Sequence, residues 1–278
     1  MPEGPEIRKA ADKVEKAIIN KPILKVTFGQ AHLKHKEIEF IDVSIDRIDT
    51  YGKPMVTRFN SASHPEGLNI YTHNQLYGRW VCCPANQVPQ SNRQLRLAVY
   101  TSDQWALLYS ASDILVLNDQ EILDHPFIKK IGKDVLNFST TVDFIKERLL
   151  SPAYKNRQLG NFLTEQSFIA GLGNYLRCDV LFVAKIHPSK KASELSNKQL
   201  NVLSQTILKL PRQSYNTDSV TNDLDRVEKL LAQGSSLEDA RFWTFRRDDL
   251  PCYDCGATII KKKMGGQACY LCEVCQKL

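Results

Sequence analysis

Apolar residues recur with two different periods along this chain, and the change of period divides it into segments. Between Ile7 and Ile18 they return every three to four positions with charged residues between them, which predicts an amphipathic helix. Residues 20–118 carry short apolar runs separated by turn signals such as Gly52, and these predict a β-sandwich behind the leading helix. The predicted strands are 23–28, 40–48, 55–59, 68–72, 94–100 and 106–109.

Helical spacing returns from residue 119 onwards, and Pro211 is expected to end the helical segment. The predicted helices are 141–150, 161–170, 174–183 and 194–210, with one short helix at 223–232 in a polar stretch. We therefore predict an α+β multidomain protein. Its parts are a β-sandwich domain at 1–118, a helical domain at 119–211, a linker at 212–240 and a metal-binding hairpin at 241–278.

Composition and charge narrow the class of protein. The chain has 278 residues, is 42% hydrophobic and carries a net charge of +6, which is typical of a soluble globular protein and favours an anionic partner. No apolar run has the length of a membrane helix, and charges interrupt the N-terminal apolar residues, unlike a signal peptide. We expect a cytoplasmic, monomeric protein with no membrane partner.

Four of the 8 cysteines form two C-x-x-C pairs near the C-terminus. In a reducing compartment this spacing predicts a metal site rather than disulfides. Four thiolates from two short loops make a closed tetrahedral site, so we predict one structural zinc ion. Cys269 lies close enough in sequence to compete, although the spacing favours the paired cysteines. The predicted ligands are Cys252, Cys255, Cys272 and Cys275.

The first six residues combine a reactive group with a helix start. If Met1 is removed, Pro2 presents a secondary amine, and its attack on a sugar C1′ gives a permanently cationic iminium. Glu3 lies beside this amine and can transfer protons. Gly4 suits the N-cap and Pro5 the first helical position, so the amine would stand at the positive end of a helix, which lowers its pKa.

Two segments of the β-rich part carry candidate binding groups. Lys53 follows Gly52 and precedes a proline, which predicts a position at the tip of a β-turn. Gln75, Leu76 and Tyr77 supply an amide, an apolar wedge and a ring that can fill the hole left by a flipped base. The alternative is an ordinary hairpin whose Leu76 and Tyr77 pack into the core.

Two segments of the C-terminal part offer contacts for phosphate. Gly171 and Gly173 allow a sharp turn, and Asn174 is then expected at the N-cap of the next helix, where free N–H groups bind anions. The alternative is an asparagine that only caps its own helix. The lysine triplet 261–263 lies on the metal hairpin, where it indicates phosphate contacts or simply a solvated face.

Together these motifs resemble the formamidopyrimidine-DNA glycosylase/endonuclease VIII family, and its endonuclease VIII branch more closely. The resemblance extends over nearly the whole chain and is specific because all the motifs occur in the same order. They are residues 1–7, Gly52-Lys53, 73–78, 149–152, 171–176 and the C-terminal cysteines. The resemblance implies an N-terminal β-sandwich with a leading helix, a helix–two-turn–helix DNA-binding domain and a C-terminal zinc finger, with DNA between the halves.

The resemblance also implies roles for residues. Pro2 would be the Schiff-base nucleophile, Glu3 the proton-transfer acid and Lys53 the lysine required for glycosylase action. The implied DNA-binding residues are Gln75, Leu76, Tyr77, Asn174 and Gln267. The implied reaction is excision of an oxidised pyrimidine from double-stranded DNA, followed by β,δ-elimination at the abasic site, as part of base excision repair.

One position departs from the family pattern. The family places an arginine five residues before the third zinc ligand, where this chain has Gln267. Because glutamine brings no charge, its phosphate contact should be weaker. This departure motivates a competing hypothesis, a damaged-DNA binding protein with reduced or lost catalysis. A purine-preferring glycosylase and a zinc-ribbon module with no enzyme activity are two further hypotheses.

Overall fold

A computed structural model describes residues 2–278 of the chain, which divides into two compact units, Met1–Lys130 and Ile131–Leu278. Met1 lies outside the described residues, and so does the prediction that it is removed. No helix among residues 2–278 is long and apolar enough to cross a membrane. The division of the chain into four parts stays a prediction.

The first unit is built from one long helix and two antiparallel four-stranded sheets. Helix α1 (Gly4–Ile18) buries its apolar stripe, including Ile7 and Ile18, in a core shared with both sheets. One sheet has the order β1-β6-β7-β5 and the other β2-β3-β4-β8. The strands are β1 (Lys25–Phe28), β2 (Ser44–Thr50), β3 (Pro54–Asn60), β4 (Leu68–His73), β5 (Arg79–Pro84), β6 (Leu95–Tyr100), β7 (Gln104–Tyr109) and β8 (Asp113–Leu117). A β-sandwich with a leading helix is what the apolar pattern predicted.

One predicted strand of this unit is wrong in its bounds, and two further strands were not predicted. The strand expected at 40–48 begins only at Ser44, because Ala31–Phe40 forms a 3₁₀ helix whose Leu33 and Phe40 are buried. Strand β5 was missed because it is an edge strand whose mostly half-exposed residues do not alternate between core and solvent. Strand β8 was not predicted because it is only five residues long and its residues do not alternate between buried and exposed positions. A short helix, α2 (Asp119–Asp124), follows it.

The second unit is mainly helical and ends in a two-stranded hairpin. Its helices are α3 (Val142–Leu150), α4 (Leu159–Phe162), α5 (Asn174–Val183), α6 (Asn197–Asn216), α7 (Leu224–Ala232) and α8 (Leu237–Ala240). Strands β9 (Ile260–Met264) and β10 (Gln267–Leu271) pair antiparallel. The predicted helix end at Pro211 is wrong. Helix α6 continues to Asn216 because the buried face that includes Ile207 and Leu210 extends past Pro211 to Ser214.

Candidate active site

Glu3 begins helix α1. It is the N-cap residue, and its N–H donates a hydrogen bond of 2.7 Å to the Glu6 carboxylate three positions later. The predicted N-cap at Gly4 is therefore wrong by one position, because Glu6 reaches back one residue further. Pro5 is consequently the second helical residue. Glu3 is only 3% exposed, whereas Pro2, the residue before it, is half-buried.

Lys53 lies in the turn between β2 and β3. Gly52 has a φ of +66°, and the Tyr51 N–H donates to the Pro54 carbonyl at 3.0 Å, which closes the turn around Gly52 and Lys53. Burial lowers the pKa of Lys53, and the nearby Glu3 carboxylate opposes that shift. The fold thus brings the turn lysine into electrostatic contact with the N-cap glutamate, 50 positions earlier in the sequence.

The loop that follows β4 projects the predicted void-filling residues. Leu76 and Tyr77 are 54% and 69% exposed, so the alternative in which they pack into the core does not apply. The Gly78 N–H donates to the Asn74 carbonyl at 2.7 Å and closes the loop. Any side chain at Gly78 would lie within about 3 Å of Asn74, so the closed loop requires glycine there.

His73 holds the base of this loop and was not singled out from the sequence. Its Nδ1 accepts a hydrogen bond from the Gln75 N–H at 3.1 Å, which supports the φ of +49° at Gln75. Burial lowers the pKa of His73, with Asp113 opposing the shift and Lys53 adding to it. Ser112 donates to the Gln75 side-chain oxygen at 3.0 Å. The signal available in the sequence was only a histidine directly before the loop.

In the second unit Asn174 is the first residue of α5, and Gly173 is its N-cap. The prediction that Asn174 is the N-cap is therefore wrong by one position. Its amide donates to the Ala268 carbonyl at 2.9 Å, next to Gln267 on strand β10. The fold thus joins Asn174 to strand β10 at the residue that follows Gln267.

Arg177 organises this junction and was missed. It is fully buried, and its guanidinium donates to the Asn174 side-chain oxygen and to the Gly160, Met264 and Ala268 carbonyls. Its position three residues after Asn174, one turn along α5, was the only signal in the sequence. A fully buried arginine needs this many acceptors to offset its desolvation.

Gln267 is half-buried at the start of β10, opposite Met264. Its side-chain oxygen is buried and has no hydrogen-bond partner within residues 2–278. Of the lysine triplet, Lys261 pairs with Asp248 at 3.3 Å and Lys262 pairs with Glu273, whereas Lys263 is exposed. Two of the three lysines are thus engaged in ion pairs.

The four predicted metal ligands come together in one cluster. Their sulfur atoms all lie within 4.8 Å of one another, with 3.9 Å between Cys252 and Cys275 and 3.5 Å between Cys255 and Cys272. A tetrahedral ion bound by thiolates at about 2.3 Å requires sulfur separations of about 3.8 Å. Cys269 does not join the cluster, because it is buried against Cys178 and shares a hydrogen bond with it. The donor set and its spacing fit a metal ion.

Comparison with known proteins decides the family. Residues 1–112 match the formamidopyrimidine-DNA glycosylase N-terminal domain and residues 131–224 match the formamidopyrimidine-DNA glycosylase H2TH domain. The chain is 43% identical over 277 residues to the endonuclease 8 of Enterobacter sp. (strain 638) and 42% identical to that of Salmonella typhi, with both chains covered completely. The chain belongs to the formamidopyrimidine-DNA glycosylase/endonuclease VIII family.

Solved structures agree on the fold. The complex between the Lactococcus lactis Fpg and an abasic site containing DNA superimposes with a TM-score of 0.79 at 20% identity, covering 99% of this chain and 100% of that chain. The predictions of the family, the fold class and a DNA glycosylase with abasic-site lyase activity are confirmed. The binding-only and zinc-ribbon hypotheses are not favoured, since full-length similarity leaves no part of the chain unaccounted for.

Proposed function

We propose that this chain is a bifunctional DNA glycosylase and abasic-site lyase that removes oxidised pyrimidines from double-stranded DNA. The observation that carries the proposal is the meeting of Glu3, Lys53 and the start of α1 in one unit. A half-buried amine, a buried carboxylate and a lysine with a lowered pKa are the groups that Schiff-base chemistry on a sugar requires.

The proposed reaction begins at the Pro2 nitrogen. Its lone pair attacks the sugar C1′, the bond from C1′ to the damaged base breaks, and the base leaves with a proton. The sugar ring then opens: the C1′–O4′ bond breaks, O4′ takes up a proton, and the proline nitrogen forms the iminium with C1′. This iminium draws electrons from the C2′–H bond, so loss of that proton to a base expels the 3′ phosphate, and a second elimination expels the 5′ phosphate. Glu3 serves as the proton-transfer group, because it is the carboxylate adjacent to the amine.

Lys53 and the exposed loop act before the elimination steps. Lys53 is proposed to assist base removal from its position beside Glu3, where a lowered pKa eases proton transfer. Leu76 and Tyr77 are proposed to occupy the space that a flipped nucleotide leaves, because both are exposed on a closed, ordered loop. The preference for pyrimidine lesions is inferred from the glutamine-leucine-tyrosine composition of this loop.

In the second unit Asn174 and Gln267 are proposed to contact the DNA backbone. Asn174 begins helix α5 and donates to the carbonyl of Ala268, the residue after Gln267, and this placement supports a phosphate contact there. The cysteine cluster is proposed to hold one structural zinc ion, since four thiolates with no free position favour zinc. We expect a cytoplasmic monomer that associates with DNA of the bacterial chromosome.

Borohydride trapping on a duplex with an abasic site tests this proposal. Reduction creates a stable protein–DNA adduct only where an amine has formed an imine, so peptide mapping should place the adduct on Pro2 in a chain lacking Met1. Pro2→Gly keeps a primary amine and should trap more weakly. Absence of an adduct from a chain that begins at Pro2, or lyase activity unchanged in Pro2→Gly, would overturn the nucleophile assignment.

A further inference from the structure

A basic groove of about 570 Å³ lies in the first unit, between the second half of α1 and strand β5. Its lining includes Lys13, Lys16, Lys21, Arg79, Trp80 and Asp103. We propose that this groove binds phosphates of the DNA backbone several base pairs away from the damaged nucleotide. The inference rests on the proposed function, because it takes DNA as the partner.

The charge in the groove is unbalanced. Asp103, its acidic residue, already pairs with Lys21 at 2.7 Å. Lys13, Lys16 and Arg79 are exposed and form no ion pair within residues 2–278. Lys13 and Lys16 are also neighbours on one helix face, three positions apart, where like charges repel each other unless an anion lies between them. Such a concave, positive surface concentrates anions.

Trp80 forms part of the apolar lining of the groove. Its ring packs against the core of the unit, yet its indole N–H is buried and has no acceptor among the described residues. A buried donor without an acceptor is unfavourable, and structures seldom leave one unexplained. This N–H has almost no accessible surface, so a ligand in the groove does not reach it. The groove therefore offers its three exposed cations, and not the indole, to a phosphate-bearing ligand.

The location of the groove identifies the ligand as a DNA backbone. Arg79 is two residues beyond Tyr77, at the end of the exposed loop, and the lysines lie on the helix that begins beside Pro2. With a rise of about 1.5 Å per residue, Lys13 and Lys16 lie about 14 and 18 Å along α1 from Gly4. At about 3.4 Å per base pair, this distance corresponds to four or five base pairs from the reacting sugar.

The test measures how the affinity for two duplexes depends on salt concentration. Both duplexes contain a tetrahydrofuran analogue of the abasic site. The short duplex has about three base pairs on each side of the analogue, and non-nucleotide linkers join its two strands. The long duplex has about ten base pairs on each side of the analogue. The variant Lys13→Ala/Lys16→Ala/Arg79→Ala is compared with Lys25→Ala/Lys34→Ala/Arg47→Ala, which removes the same charge from exposed positions outside the groove.

On the long duplex, the groove variant should lose up to about 2.7 from the slope of log affinity against log salt, since each phosphate contact contributes about 0.9. On the short duplex it should match the control variant. On a duplex of the same short length that carries a natural abasic site instead of the analogue, the lyase rates of both variants should equal the wild type, which verifies folding. Equal slopes for the two variants on the long duplex would overturn the inference.

Two further outcomes distinguish this inference from competing explanations. If the wild-type protein binds neither duplex, the proposed function fails together with the groove. If adenosine 5′-monophosphate binds the wild type in equilibrium dialysis, binding is lost in the groove variant, and duplex length has no effect, then the groove is a nucleotide site and the backbone assignment is wrong.

Discussion

In the first unit the candidate side chains stand at the ends of elements, whereas in the second unit they are tied into a buried network. Pro2 and Glu3 begin a helix, Lys53 occupies a two-residue turn, and Leu76 projects from a loop. Leu76 is exposed and Pro2 is half-buried, whereas Glu3 is buried and burial lowers the pKa of Lys53.

The second unit holds its candidate residues differently. Asn174 is bound to the hairpin carbonyl at position 268 and to the fully buried Arg177, which itself has three further carbonyl partners. Asp179, also fully buried, accepts hydrogen bonds from the N–H groups of residues 243, 244 and 245 at 2.9–3.3 Å and so anchors the segment before the hairpin. The candidate residues of the second unit are thus held by more hydrogen bonds to buried partners than those of the first unit, which suits the rigid phosphate contact proposed for them.

Removing one thiol of the cysteine cluster should unfold the C-terminal hairpin of the second unit and leave the first unit folded. Cys272→Ser is expected to abolish zinc binding and to unfold the hairpin, because such a small element depends on its metal for folding. Metal analysis should fall from one ion to none, and affinity for DNA should drop at least ~100-fold. Cys83→Ser, at a free cysteine outside both the cluster and the basic groove, is the control. A Cys272→Ser protein with full zinc content would contradict the ligand assignment.

Lys53→Gln should separate the two activities of the first unit. Excision of an oxidised pyrimidine is expected to fall by ~10²- to 10⁴-fold, the usual contribution of a positioned proton-transfer group. Cleavage at a preformed abasic site should change much less, because no base has to leave. Gel assays on the two substrates measure both rates, with Lys34→Gln as the surface control. An equal loss of both activities would place Lys53 in the elimination steps instead.

Lys53 should also produce a pH-dependent stability. In the folded protein the pKa of Lys53 lies below 10.5, the ordinary value that the residue has in the unfolded chain. Between the folded-state and the unfolded-state pKa, the unfolded chain therefore binds more protons than the folded one. The free energy of unfolding should therefore rise with pH through this interval, with a slope of at most about 1.4 kcal/mol per pH unit. In urea titrations Lys53→Met should lack this rise. An identical pH dependence in both proteins would contradict it.

Leu76→Ala probes the loop without disturbing the core. Because Leu76 is 54% exposed, the free energy of unfolding should change by less than about 0.5 kcal/mol. Excision from a duplex should slow by about tenfold, which corresponds to about 1.4 kcal/mol of lost stabilisation of the flipped state. Excision from single-stranded DNA should not change. Leu24→Ala, exposed elsewhere in the unit, should leave every rate unaltered.

The smallest effect is expected at the hairpin tip. Gln267→Arg should raise DNA affinity several-fold and steepen its salt dependence by about 0.9, the contribution of one added phosphate contact. Anisotropy titrations at several salt concentrations measure both quantities. Gln233→Arg adds the same charge at an exposed position in the same unit and should not reproduce the effect. Equal responses of the two variants would mean that position 267 does not meet a phosphate.

Much of this protein could be determined from its sequence, because the informative signals are local. The spacing of apolar residues predicted α1 and most strands, and the spacing of the cysteines predicted the cluster that the fold assembles. A glycine before Lys53 was enough to predict a turn, since only the local backbone decides it. Motif order then indicated the family that full-length relatives confirm.

Tertiary structure alone decided which of these local features meet. The electrostatic effect of Glu3 on Lys53, the hydrogen bond from Asn174 to the Ala268 carbonyl, and the burial of Arg177 all arise through packing rather than through sequence spacing. The same applies to α6, which continues past Pro211 because its face is buried, although proline locally disfavours the interior of a helix. Local propensities are worth about 1–3 kcal/mol per residue, and the burial of a helix face outweighs them.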